Sequence, residues 1–378
     1  MGTLITSLGV RRQATALTLD LYLIVTTAVL IGFGLIAIWS ADGGGPLAGN
    51  LVVRQALYVL IGIPVVALIT SIDYRYLQSL AWLIYAGTLA MLTLVTLMGT
   101  SVAGGTRWIM VGPITFQPSE IAKLGVIIAL AAFIADRGEE MRRFVNFVLA
   151  GVLVAVPMAL VERQPDLGTA SVFAFIWLVM ILMSRARLRY LLGLILCSPV
   201  VALVGWRFLL HDFQRERLLI SYHPERDYLG AGYNIIQAQI TIGSGGFLGH
   251  GLAGSSQSQL DLLRVRTTDF IFAHAMGMFG FIGAVALYLT YAILIWRALQ
   301  VVGVARDNFG QLVAVGIAAM IFFQVFINTG MNMGIMPVTG IPLPFITFGG
   351  SSLWTLLAGI GLLQSIRIHH QRLGFQPE

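Results

Sequence analysis

Charge is scarce in this chain. Of 378 residues, 11% are charged and 57% are apolar, against about 25% charged in ordinary soluble domains, which excludes a soluble globular protein. Cysteine is almost absent. Cys197 stands alone inside an apolar run, so neither a disulfide framework nor a multi-cysteine metal site is available, and packing is its expected role. Lysine is nearly missing as well: 22 arginines and Lys123 supply the 23 cations, against 17 carboxylates, for a formal charge of +6. No polar stretch is long enough to fold as a separate soluble domain, and no nucleotide-binding fingerprint occurs. Function has to be sought in the few polar residues that remain.

Apolar runs long enough to cross a bilayer, about 20 residues each, lie near 19–40, 51–72, 77–98, 118–135, 144–161, 167–183, 188–210, 270–296, 309–330 and 348–368. They predict an all-α integral membrane protein of about ten transmembrane helices, one polytopic unit over residues 1–378. Runs such as Leu77 to Met98 lack the alternation a membrane β-barrel requires. The first span is too long for a signal peptide and is followed by no cleavage site, so it reads as an uncleaved anchor. With the N-terminus in the cytoplasm, 13 arginines fall on inside segments, among them Arg11, Arg12, Arg75, Arg137, Arg142, Arg143, Arg185, Arg187 and Arg189. The short outside loops keep only Arg107 and Arg163. That asymmetry is the positive-inside signature, and with an even span count both termini are cytoplasmic. Topology thus accounts for most of the basic excess. Anionic membrane lipid could also be drawn to the clusters, while nucleic acid is not an expected partner.

Arg207, Arg215, Arg217, Arg226, Arg264 and Arg266 have no such use, because they fall in or beside an extracellular loop at about 211–268, between helices 7 and 8. A loop of that length in a compact protein is usually functional or disordered, and the aromatics and isoleucines of Tyr228 to Gly251 argue against disorder. Arg215 and Arg217 in one short segment, with flexible backbone at Gly243–Gly246, suit a phosphate or pyrophosphate.

Each ionisable residue at membrane depth costs about 2.5–3.5 kcal/mol on insertion scales and so is a candidate for function. Pro118 suits a first helical turn, and puts Glu120 and Lys123 three residues apart on one face of the fourth span. They make either a structural ion pair or a buried cation facing a cavity that receives an anion. Asp166, opening the sixth span, sits where a carboxylate caps a helix. Asp269 stands at the water edge of the eighth span, either as a cap or as a base, with His274 about a turn below. The Pro- and Gly-rich segment from Asn328 to Ser352 is irregular backbone at membrane depth, tolerated only where it is buried in protein or lines a cavity. A pocket wall or hinge is the expected role.

Taken together, GGTRWI with QPSEIAK (104–109 and 117–123), QPDLGTA (164–170), GYN followed by GSGG (232–246), TTDFIFA (267–273), and PVTGIPLPF with FGGSS (337–352) resemble the SEDS family (shape, elongation, division and sporulation) over nearly the whole chain. The wording of PVTGIPLPF is closer to the family's elongation branch than to its division branch. The resemblance implies a ten-helix fold with a large extracellular loop between the seventh and eighth spans. It implies a peptidoglycan glycosyltransferase acting on lipid II with a class B penicillin-binding protein as partner. It further implies that Asp269 is the essential aspartate, Glu120 and Lys123 the buried pair, and Asp166 a second important carboxylate. The chain departs from the pattern at Gly277 and Met278, where an acidic pair is common, at His250, where lysine is common, and at Arg264, where proline is usual.

The expected chemistry is attack of an acceptor sugar hydroxyl on the anomeric carbon of a polyprenyl-pyrophosphate-linked sugar, at the outer face of the bacterial cytoplasmic membrane. Asp269 is the expected base. Lys123, Glu120, Arg107, Gln117, Ser119, Asp166, Arg215, Arg217 and Thr268 are the expected substrate-binding residues. No cofactor is certain; a divalent cation, magnesium or manganese, would help stabilise the pyrophosphate. The rival expectations are a flippase for lipid-linked precursors, with Glu120 and Lys123 on its path, the division branch of the family, and a scaffold that only positions a transpeptidase.

Overall fold

The computed structural model describes residues 19–45, 51–102, 105–111, 114–209, 212–227, 230–253, 260, 262–263 and 265–369. Ten helices of at least 17 residues occupy the predicted positions among them: α1 (Leu21–Ala41), α2 (Leu51–Ser71), α4 (Ala81–Met98), α5 (Pro118–Arg137), α6 (Phe144–Glu162), α7 (Leu167–Met183), α8 (Leu188–Val204), α11 (Ile271–Val304), α12 (Asn308–Asn332) and α13 (Gly350–Ile368). A single turn, α3 (Arg75–Ser79), precedes α4, while α9 (Asp212–Tyr222) and α10 (Ala231–Ser244) lie between α8 and α11. Six of these helices are both long and apolar enough to cross a membrane. Arg11, Arg12, Arg264, Arg372 and both chain ends lie outside the described residues.

The helices begin where local chemistry says they should. Asp20 Oδ1 accepts from the N–H groups of Tyr22 and Leu23 and Asp307 Oδ1 from Gly310 N–H, satisfying donors that a helix start leaves orphaned. Pro118 opens α5, which ends at Gly138 with φ 48°. Helices α5 and α12 form the centre of the bundle and are buried along most of their length. α5 packs on α4, α12, α6 and α13, and α2 packs along α13. Most other helices keep one apolar face outward, as a lipid solvent permits. Cys197 is on such a face of α8: it is exposed, which corrects its expected packing role.

Two predicted features are corrected. The fold is not purely helical, since β1 (Thr100–Val102), β2 (Gly105–Val111) and β3 (Ile114–Phe116) form a small antiparallel meander before α5. Short alternating segments of this kind are hidden between long apolar runs. Nor is Gly243–Gly246 a loop held open for a ligand. After α10 the chain turns back and docks, backbone to backbone, into a break in α11 at Gly280, where φ is 61°. Gly277 C=O and Phe281 N–H, which a continuous helix would pair with each other, are taken by His250 N–H at 3.0 Å and Gly246 C=O at 2.9 Å. Ile282 N–H donates to Phe247 C=O at 3.1 Å. A Cβ at Gly249 or Gly280 would run into the facing backbone. Gly280 is 11 residues beyond Asp269, roughly 15 Å along the helix, so this hairpin reaches well down the side of the bundle. Two departures from the family pattern, at His250 and Gly277, meet here through their backbones.

At the far end of the bundle, Asp20 ties three helices. Its Oδ2 accepts from Arg297 Nη2 at 2.5 Å and Nε at 3.2 Å and faces Arg367 Nη1 at 3.2 Å. Its backbone N–H and C=O pair with the Gln364 carboxamide. Nearby, Tyr74 Oη donates to Asp307 at 2.7 Å, and burial, with Asp307 beside it, pushes the hydroxyl up to about 12.

Candidate functional site

The site forms at the opposite end, where the starts of α5, α7, α11 and α13 meet the end of α12. Its hub is the Pro- and Gly-rich segment between α12 and α13. Gly168 on α7 packs so tightly on it that a Cβ there would stand 2.6 Å from Thr339 C=O. Asn328 Nδ2 on α12 donates to Ile341 C=O at 2.8 Å, and Tyr291 Oη on α11 to Pro344 C=O at 2.6 Å. Phe348 N–H donates to Thr267 C=O at 3.1 Å, and Gly349 N–H to Gln55 Oε1 on α2 at 3.1 Å. Val338 N–H reaches Ser221 Oγ on α9 at 3.2 Å. These hydrogen bonds tie the irregular backbone to protein from several elements, as membrane depth demands, and at Gly340 the segment borders Asp269.

Asp269 lies half-buried immediately before α11. Its carboxylate faces Gly340, where a Cβ would stand 3.9 Å from Oδ2. Gly340 has φ 71°, a conformation that favours glycine, so bare backbone borders the carboxylate and leaves room beside it. Thr268 forms the preceding turn, its N–H donating to Val265 C=O at 3.2 Å. His274 is fully buried; its Nε2 contacts Ser40 Oγ at 3.1 Å, and Ser40 donates to Leu252 C=O at 2.8 Å. It therefore joins α1 and the post-α10 turn to α11.

Asp166 caps α7 as predicted, accepting from Thr169 N–H and Thr169 Oγ1, each at 3.0 Å. Arg107, on β2, lies 4.0 Å from Asp166 and donates from Nε to Gln164 C=O at 2.8 Å and from Nη2 to Pro165 C=O. Sheet and α7 are thereby clamped together, so Arg107 serves at least to shape the QPD turn. Gln117 N–H donates to Ser351 Oγ at 2.9 Å, bringing the starts of α5 and α13 side by side.

Lys123 Nζ and Glu120 Oε1 are 2.7 Å apart, with side chains 1% and 3% exposed. One lysine meets one oxygen of one carboxylate. Glu120 Oε2 and Ser119 Oγ, both buried, have no hydrogen-bond partner among the described residues. The same holds for both polar atoms of Gln324 on α12 and for Thr355 Oγ1 on α13, two of the helices packed on α5. Buried polar atoms are nearly always partnered, so this interior carries more hydrogen-bonding capacity than the described residues use.

Arg215 donates from Nη2 to Arg207 C=O at 3.2 Å, across the turn from α8 to α9; the side chain of Arg217 lies outside the described residues. Sequence reasoning placed Asn332, Gly340 and Ser351 within the Pro- and Gly-rich segment but singled out none of them as a site residue. The signal for Asn332 was legible: Gln324, Asn328 and Asn332 put three carboxamides four residues apart on one face of a largely apolar helix.

Residues 21–372 match the FtsW/RodA/SpoVE family model, described as cell cycle protein. The chain is 36% identical over 356 residues to the peptidoglycan glycosyltransferase MrdB of Escherichia coli K12, covering 94% of this chain and 95% of that one. It is similar to a chain in a solved structure of a peptidoglycan synthase complex, titled for coordination of polymerization and crosslinking, at TM-score 0.80 and 31% identity over 92% of this chain and 97% of the other. It is also similar to the rod shape determining protein RodA of Thermus thermophilus, at TM-score 0.70 and 28% identity over 93% and 97%. A family match over residues 21–372, with a relative 36% identical along nearly the whole chain, makes the chain a member of the FtsW/RodA/SpoVE family, the SEDS family of its sequence motifs.

Proposed function

We propose that this protein is a peptidoglycan glycosyltransferase that polymerises lipid II into β-1,4-linked glycan during cell elongation. The similarity to MrdB and RodA over more than nine-tenths of the chain supports that activity and branch. The observation that carries the chemistry is Asp269: a half-buried carboxylate bordered by the bare backbone of Gly340, at the end of the bundle where the starts of α5, α7, α11 and α13 meet the end of α12. The acceptor hydroxyl gives its proton to Asp269 as its oxygen attacks the anomeric carbon of the donor. The bond to pyrophosphate breaks in the same in-line displacement, inverting an α-linked donor to a β product. Proton transfer to a positioned base contributes about 10²–10⁴-fold.

The leaving pyrophosphate needs positive charge. Lys123, paired with Glu120, would supply it from the buried side, with Arg107, Arg215 and Arg217 adding charge and Gln117, Ser119, Asp166 and Thr268 adding neutral or anionic groups that hold the sugars. Among the described residues no three His, Cys, Asp or Glu side chains gather, so a magnesium or manganese ion would be held chiefly by the pyrophosphate oxygens; chelation in the same assay tests that role. The site faces the outside of the bacterial cytoplasmic membrane. There are ten spans, both termini are cytoplasmic, and the chain between α8 and α11 is extracellular. The enzyme works with a class B penicillin-binding protein, in keeping with its similarity to a chain of a peptidoglycan synthase complex.

Purified Asp269→Ala protein, given lipid II together with its transpeptidase partner, should make no polymer while keeping the wild-type thermal midpoint. Full polymerisation by that variant sinks the assignment of the base. Transbilayer movement of unpolymerised lipid II by the wild type would favour a flippase instead.

A further inference from the structure

The direction in which Asp269 presents its carboxylate is set by groups outside its own side chain. Its backbone carbonyl accepts from two α12 carboxamides, Asn332 Nδ2 at 3.0 Å and Asn328 Nδ2 at 3.4 Å. Both asparagines are fully buried. Asn332 Oδ1 in turn accepts from Ala273 N–H at 3.1 Å. Asp269 C=O and Ala273 N–H are the two groups that a regular α-helix pairs with each other. The Asn332 carboxamide spans them, acting as an extra peptide spliced into the first turn of α11. Asn328 holds it in place: its C=O accepts from Asn332 Nδ2 at 2.8 Å, and its own Nδ2 donates to Ile341 C=O at 2.8 Å, beside Gly340. Only a side chain carrying both a donor and an acceptor can fill that role.

We propose that Asn332, braced by Asn328, is a positioning residue for Asp269: it splices the first turn of α11 and fixes the carboxylate against Gly340. The proposal rests on Asp269 being the base. A base misplaced by about 1 Å can lose on the order of 10²-fold in rate without weaker substrate binding, so the effect belongs in kcat.

Lipid II polymerisation by the full-length protein with its transpeptidase partner, at varied lipid II concentration and from pH 6 to 8, tests this in Asn332→Ala, Asn332→Asp and Asp269→Ala. Asn332→Ala should lower kcat ten- to a hundredfold with KM within twofold of wild type. Asn332→Asp offers one donor and one acceptor while its carboxyl is neutral. It should recover at least half of the lost rate at the acid end and lose it as the carboxyl ionises, a fall the wild type does not show. Should Asn332→Ala fail to fold, that pH profile carries the test alone. Wild-type kcat in Asn332→Ala beside an inactive Asp269→Ala overturns the positioning role and leaves the base standing. Equal impairment of both Asn332 variants at every pH makes the residue merely structural and overturns it too. A fully active Asp269→Ala removes the base and the proposal with it.

Discussion

The two ends of the helix bundle each bury a carboxylate with cations, and they treat it in opposite ways. At one end Asp20 meets two arginines, caps α1 and has its backbone closed by Gln364. At the other, Glu120 meets a single lysine through one oxygen, and its second oxygen has no hydrogen-bond partner among the described residues. A buried ion pair is expensive to desolvate and is no evidence of stability by itself. What separates the two is saturation. The Asp20 cluster has spent its hydrogen bonds on joining α1, α11 and α13, so it is a clasp. The Glu120 cluster uses fewer of its atoms among the described residues, with the neighbouring Ser119 Oγ also unpaired there, in keeping with the proposed charged-ligand site.

Substitutions can break that contrast. The largest effect is expected at the clasp: Asp20→Ala leaves two arginines facing each other and should cost about 3–5 kcal/mol, seen as a large fall in thermal midpoint with unchanged polymerisation per folded molecule. A loss of activity without a loss of stability there would erase the distinction. Next comes the hairpin in the α11 break, where Gly249→Ala forces a Cβ onto the Met278 backbone at φ 74°. Its expected cost is about 1–3 kcal/mol, measured by denaturation in detergent.

At the open end the double variant Glu120→Gln/Lys123→Met removes both charges at similar volume. Stability should stay within about 1 kcal/mol, since neutral replacement of a buried pair is often tolerated. Polymerisation should fall at least tenfold, equivalent to about 1.4 kcal/mol of barrier, measured on purified lipid II. The smallest effect is Tyr74→Phe near the clasp, which loses one hydrogen bond to Asp307 and should cost about 1 kcal/mol of stability, with no change in rate.

Much of this was legible in the sequence because it is local. Apolar runs of bilayer length gave the long helices, and Asp166 and Pro118 announced the starts of α7 and α5. The spacing of Glu120 and Lys123 foretold their contact. The oddness of the segment from Asn328 to Ser352 was also legible, because Pro and Gly at membrane depth need a reason. The partners that satisfy it were not, since Gln55, Ser221, Thr267 and Tyr291 reach it from four distant stretches of chain. The glycines at 243–246 misled for the same reason. A flexible stretch beside arginines suits a ligand equally well as it suits a helix broken 35 residues later, at Gly280.

The sequence by itself determined the solvent this protein lives in, the number and order of its long helices, and the short list of polar residues able to do chemistry. Those depend on transfer free energies and on hydrogen bonds within a turn or two of one residue. Only the tertiary structure decided which of those residues close on themselves and which stay open, because saturation is a property of the whole set of neighbours. It made Asp20 a clasp, paired Glu120 through only one oxygen among the described residues, and brought Asn332 from another helix to the backbone of Asp269.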